Sequence, residues 1–115
     1  MDNTQGQVVL VKDINPGINT SYLYGNIIEL NDRLYFSAND GETGGELWVS
    51  DGTSDGTQLV KDIFPGSGFS APGLYGNEGI IKFNDRLYFS ANDGETGIEL
   101  WVSDGTSDGT QLVAD

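Results

Sequence analysis

The chain has 115 residues, 37% of them apolar and 17 of them glycine, which suits one small domain, or part of a larger one, built from short strands and tight turns. It has no cysteine and no histidine, so a disulfide framework, a thiolate zinc site and the commonest general base and metal ligand are all excluded. A net charge of −13, with Lys12, Arg33, Lys61, Lys82 and Arg86 the only basic side chains, opposes nucleic acid and anionic membranes as partners, and no apolar run approaches transmembrane length.

The first residues, MDNTQGQ, lack the basic and apolar regions of a signal peptide. LVKDI follows at 10–14 and returns at 59–63, and VKDINPG at 11–17 matches VKDIFPG at 60–66. The thirty letters NDRLYFSANDGETGGELWVSDGTSDGTQLV at 31–60 recur at 84–113 with one change, Gly45 to Ile98. Repetition at a fixed period is the mark of stacked supersecondary units. Such close identity points to a recent duplication, or to a chain built or cut by design from a longer repeat protein. The two copies differ in length in one connection only, INTSYLYGN at 18–26 against SGFSAPGLYGNEG at 67–79.

Each copy reads as four strands. LYGNIIEL ends at Asn31-Asp32, a two-residue hairpin signal, and RLYFSA follows. NDGETGG forms the next turn before ELWVS, and DGTSDGT the third before QLVKDI. Asp-Gly suits these turns, since Gly accepts positive φ and the Asp side chain bonds the backbone just ahead. No window carries an apolar period of 3.6 residues, so the chain is all-β. Along RLYFS, Leu34 and Phe36 point one way and Tyr35 the other; along ELWVS, Leu47 and Val49 oppose Trp48. Both faces of each sheet are therefore apolar, and each wants a neighbour. Four-stranded sheets stacked in this way around an axis make a β-propeller.

The string ELWVSDGTSDGT, with LYFSANDGETG before it and LVKDI after it, resembles the ELWxxDGT repeat of bacterial β-propeller proteins over nearly the whole chain. SANDGET at 37–43 and 90–96 is similar to the Ser-x-Asp-x-Gly-x-Thr box of other propellers, with Asn39 and Asn92 in place of its Asp. The resemblance implies a bacterial, cell-surface or secreted parent.

Two blades do not close a propeller, so the expected architecture is a ring of six or eight blades made by three or four identical chains. Residues 1–17 are expected to form a strap that completes a blade of another chain, 18–66 the first blade, and 67–115 a second whose fourth strand is cut short. Residues 10–14 and the C-terminal QLVAD compete for one strand position, and the longer N-terminal copy is expected to take it. Leu34, Phe36, Trp48, Leu87, Phe89 and Trp101 are expected to pack between blades.

SDGTSDGT at 50–57 and 103–110 fits neither a calcium-binding helix–loop–helix nor the glycine-rich calcium repeat, and reads as a turn. The opposite loop face combines Asp40, Glu42, Asp93 and Glu95 with Tyr22, Tyr24, Phe69 and Tyr75, and two functions remain open there. One is a non-enzymatic structural module that assembles with itself and needs no cofactor. The other is a multivalent surface for carbohydrate, or for calcium held weakly by the same four acids. Identical blades repeat any site around a ring, which favours multivalent binding over a single catalytic centre.

Overall fold

The computed structural model describes residues 10–16, 21, 24–66, 68–74 and 79–114. Eight strands form two sheets. The first holds β1 (Tyr24–Leu30), β2 (Arg33–Asn39), β3 (Gly45–Ser50) and β4 (Gln58–Lys61), and the second β5 (Ile81–Phe83), β6 (Arg86–Asn92), β7 (Ile98–Ser103) and β8 (Gln111–Ala114). Each sheet is an antiparallel meander in chain order, and no helix is present among the described residues. The all-β expectation, with four antiparallel strands per repeat, is met.

The hairpins form where the sequence signals them. Asn31 and Asp32 have φ of 53° and 65°, and Asn84 and Asp85 have 52° and 60°. Left-handed backbone at both central positions is the type I′ turn, whose twist matches that of the flanking strands. Register is conserved between the sheets, with Phe36 opposite Trp48 and Phe89 opposite Trp101. A bulge recurs too, at Leu47/Trp48 and at Leu100/Trp101, and sharpens the twist of each outer hairpin.

Side-chain alternation then divides the core. Leu30, Tyr35, Leu47 and Val60 of the first sheet are buried with Ile63 and with Ile80, Leu87, Phe89, Ala91 and Trp101 of the second. Phe36, Ala38 and Trp48 lie on the other face of the first sheet, buried with Ile14. We call the Tyr35–Leu47 face forward and the Phe36–Trp48 face rear. Because Phe89 and Trp101 are the counterparts of Phe36 and Trp48, the forward face of the first sheet packs on the rear face of the second. The two sheets are thus stacked in the same sense. Each large apolar side chain closed between them contributes about 1.5–3 kcal/mol.

Candidate functional site

The twice-written octapeptide is a self-contained turn. Asp51 Oδ1 accepts from Thr53 N–H and Oγ1–H at 2.9 and 2.6 Å, and Asp104 Oδ1 accepts from Thr106 at the same two distances. These bonds, that from the threonine hydroxyl first, hold both carboxylates below their ordinary range. Beneath them the Ser50 and Thr57 hydroxyls are buried 2.8 Å apart, and Ser103 and Thr110 2.7 Å apart. Thr57 Oγ1 donates to Thr53 O, and Thr110 Oγ1 to Thr106 O, each at 2.7 Å. The acids and hydroxyls bond their own turn.

The outer carbonyls of that turn are what a neighbour reads. Lys61, on β4, donates from Nζ to Thr110 O at 3.1 Å and Ser107 O at 3.4 Å. Lys12 makes the same pair of contacts one repeat earlier, to Thr57 O at 3.1 Å and Ser54 O at 3.5 Å. The equivalence continues along the chain. Ile14 packs on Phe36, Ala38, Trp48 and Leu59, as Ile63 packs on Phe89, Ala91, Trp101 and Leu112. A Cβ at Gly41 would stand 2.7 Å from Asn15 Oδ1, and one at Gly94 3.0 Å from the Phe64 ring. Ser21 O accepts from Asn39 N–H at 2.6 Å, and Ser70 O from Asn92 N–H at 3.0 Å. Residues 10–16 and 21 therefore lie on the first sheet as residues 59–65 and 70 lie on the second. Yet residues 10–13 belong to neither sheet. Against the first sheet they take the place that residues 59–62 take against the second.

Glu46 locks the junction between the repeats. It is fully buried, and its carboxyl accepts from Ile63 N–H at 2.8 Å, Phe64 N–H at 3.3 Å and the Ser70 hydroxyl. Burial pushes it up to about 8, against the bonds from Ser70 and Ile63, while the nearby charge of Asp62 adds to the rise. Its counterpart Glu99 is half-buried. Sequence reasoning missed Glu46, although a carboxylate next to the strictly apolar Leu47-Trp48 was a signal.

The two faces turned away from the junction remain open. Leu87 on the inner rear face is 0% exposed, whereas Leu34, its copy on the outer rear face, is 43% exposed. Leu47 on the inner forward face is 0% exposed and its copy Leu100 is 48% exposed. Ile80 and Ile27 differ in the same direction, as do Leu30 and Phe83, and Val60 and Val113. On the outer rear face the uncovered part is an apolar groove of about 410 Å³, lined by Leu10, Ile14, Ile27, Leu34, Phe36 and Gly52 among others.

Of the six side chains expected between blades, Leu87, Phe89 and Trp101 lie in the shared core, Phe36 and Trp48 lie beneath Ile14, and Leu34 is open. On the loop face the residues divide. Tyr22 and Tyr75 lie outside the described residues, and Tyr24 begins β1. Asp40 Oδ1 accepts from Glu42 N–H, Thr43 N–H and Thr43 Oγ1–H at 2.8–2.9 Å, and Asp93 repeats this with Glu95 and Thr96. Burial pushes Asp40 up, but these bonds outweigh it and the carboxyl sits low; Asp93 is lowered by the Thr96 and Glu95 amides. Glu42 and Glu95 are exposed. Phe69 is exposed as well, and the aromatics that do meet Asp93 and Glu95 are Phe64 and Trp101, around a hollow of about 380 Å³. Among the described residues no group of three or more acids could hold a metal ion.

Comparison with known proteins finds no matching family model, no similar curated protein and no matching solved structure.

Proposed function

We propose that this chain is a structural module that assembles with identical copies into a closed ring of propeller-like blades, three chains giving six blades or four giving eight. The observation that carries the reading is the docking of residues 10–16 and Ser21 on the first sheet, in the manner of the fourth strand and connection of a preceding blade. Such a strand needs a sheet to belong to, and the neighbouring chain supplies one. There it takes the position of β8, and it is the better occupant. Residues 10–14 bring Lys12, which grips the next turn, where β8 has Ala114. Open apolar faces at both ends of the stack support the same reading, because patches of this kind mark interaction surfaces.

The module is non-enzymatic on this reading. The acid pairs of the loop face recur identically in each repeat, and the Asp of each pair is engaged by its own turn. Glu46, the carboxyl held highest among the described residues, is sealed from solvent. Native mass spectrometry and light scattering test the proposal: a discrete trimer or tetramer of the 12.3 kDa chain is expected, and a protomer at every concentration would refute it.

A second reading, carbohydrate binding on the loop face, is favoured by one observation. Phe64 and Trp101 floor a hollow rimmed by Asp93 and Glu95, and Trp101 Nε1 is buried with no acceptor among the described residues. Aromatic faces beside carboxylates suit sugar rings. Thermal shifts with a panel of monosaccharides and with calcium decide it, since a ligand held only by the folded state raises its melting temperature.

A further inference from the structure

The packing inside the chain is a template for a contact that one chain cannot complete. Tyr35, on the inner forward face, reaches the last turn of the second sheet, where its hydroxyl stands in the space a Cβ on Gly105 would take. The charge of Asp104, in the same turn, is felt at that hydroxyl. The copy of Tyr35 is Tyr88, half-buried beside Phe83 with ring centroids 5.9 Å apart. The copy of Gly105 is Gly52, and nothing lies within 4 Å of the place its Cβ would occupy. Gly52 borders the apolar groove of the outer rear face. One end of the stack presents the tyrosine and the other presents its seat.

On the reading that the chain assembles with itself, we propose the contact that does it: the forward face of the second sheet docks on the rear face of the first sheet of another copy, with Tyr88 seated over Gly52. Ile81, Phe83 and Leu100 then cover Ile27 and Leu34 of the next copy, with that copy's own Val11 in the place of Val113, as Ile28, Leu30, Leu47 and Val60 cover Ile80 and Leu87 within the chain. The occupant is a second copy because both surfaces are near-duplicates of surfaces that already fit each other. The contact is head-to-tail, since a tyrosine face matches a glycine seat and neither matches itself. A sheet face of this kind removes on the order of 1,000 Å² of surface or more, the scale of a specific interface.

The one letter that differs between the thirty-residue copies lies at this contact. Within the chain, Ser70 and Ala71 donate their N–H groups to Gly45 O at 3.0 and 3.2 Å, so the connection lies against a residue without a side chain. At the contact between copies, Ile98 replaces Gly45, and the facing connection, from Ser21 to Ile27, is four residues shorter than that from Ser70 to Ile80. The exposed Ile98 side chain is covered at the proposed contact.

Two single-face variants test the docking. Leu100→Arg charges the forward end and Leu34→Arg the rear end, both at positions exposed in the chain, so circular dichroism is expected to be unchanged. Each variant alone is expected at protomer mass by light scattering. An equimolar mixture is expected to give a 1:1 dimer and nothing larger, because each variant keeps the end the other has lost. Ile81→Arg and Ile27→Arg repeat the test at other exposed positions of the same faces, should either first variant fold poorly. A forward-end variant that assembles like the wild type, a rear-end variant that pairs with itself, or a mixture that stays at protomer mass overturns the docking alone. A wild-type chain that never leaves protomer mass, its faces then awaiting a different partner, overturns the ring and the docking together.

Discussion

The Ser70 hydroxyl donates to the Glu46 carboxyl, and through that bond the connection leaving the first sheet is fastened to the strand that begins beside it. Both residues are fully buried. A polar pair closed off in this way makes the junction between the repeats sensitive to protons.

With its carboxyl pushed up to about 8 by burial, Glu46 keeps a proton in the folded chain that the unfolded chain releases near 4.5. Between those values the folded state binds more protons, so the contribution of this group to stability falls as pH rises and levels off above about 8. Urea midpoints followed from pH 5 to pH 8 are expected to decline more for the wild type than for Glu46→Gln, whose amide does not titrate. Parallel curves for the two proteins would mean that the carboxyl is ionised throughout.

Equivalent phenylalanines are expected to differ in cost. Phe89 is enclosed between the sheets, so Phe89→Ala should cost about 3–5 kcal/mol. Phe36 borders the open groove, where surrounding side chains can relax, and Phe36→Ala should cost clearly less in the isolated chain. Denaturant unfolding of both variants at protomer concentration gives the comparison.

Replacing Lys12 by Met leaves the Thr57 and Ser54 carbonyls to water and should loosen residues 10–16 without unfolding either sheet. Amide exchange in that segment should rise at least severalfold while β6 and β7 keep their protection. Lys61→Met, acting between the sheets, should instead lower global stability by about 1–2 kcal/mol.

The buried hydroxyl pair of the turn gives a further comparison. Thr110→Val removes the bond to Thr106 O and the partner of the Ser103 hydroxyl, and should cost about 1–3 kcal/mol in thermal unfolding. Thr57→Val should match it closely, since the same two bonds are lost at nearly the same distances. A large gap between the two would show that the turns are not energetically equivalent.

Copies carrying a charge of −13 repel one another, and an apolar contact between them has no opposing attraction for salt to weaken. Raising sodium chloride from about 50 mM to about 500 mM, across which the screening length shortens severalfold, should tighten assembly by roughly tenfold or more in light-scattering dilution series. Dissociation by salt would point to ion pairs at the seam.

The four strands of each copy, the two-residue turns and the two apolar faces were legible because each is written within a few residues. Asn31-Asp32 sets its own φ values, and the alternation of Leu34, Tyr35 and Phe36 sets its own faces. Contacts at long range were not. Lys12 and Lys61 read as strand residues, and nothing nearby announces that their partners are carbonyls 45 and 49 residues further on. Phe69 looked like the aromatic of the acidic loop, yet Phe64 fills that role, because the closeness of its ring to Gly94 is set by how the sheets stack and not by loop chemistry. Glu46 was overlooked for a similar reason: its acceptors are satisfied by the backbone of another strand's continuation.

The turn that bonds only its own acids and hydroxyls has a consequence for how such a chain can grow. Each such turn offers its neighbour the same seat, met by a lysine at its carbonyls and a tyrosine at its glycine. On the proposed docking, a duplication of the coding segment would therefore add a sheet already able to join at both ends. Point changes behave differently, since an altered socket leaves every other joint intact. Lineages of such proteins would then be expected to vary readily in number of units and slowly in the fittings between them.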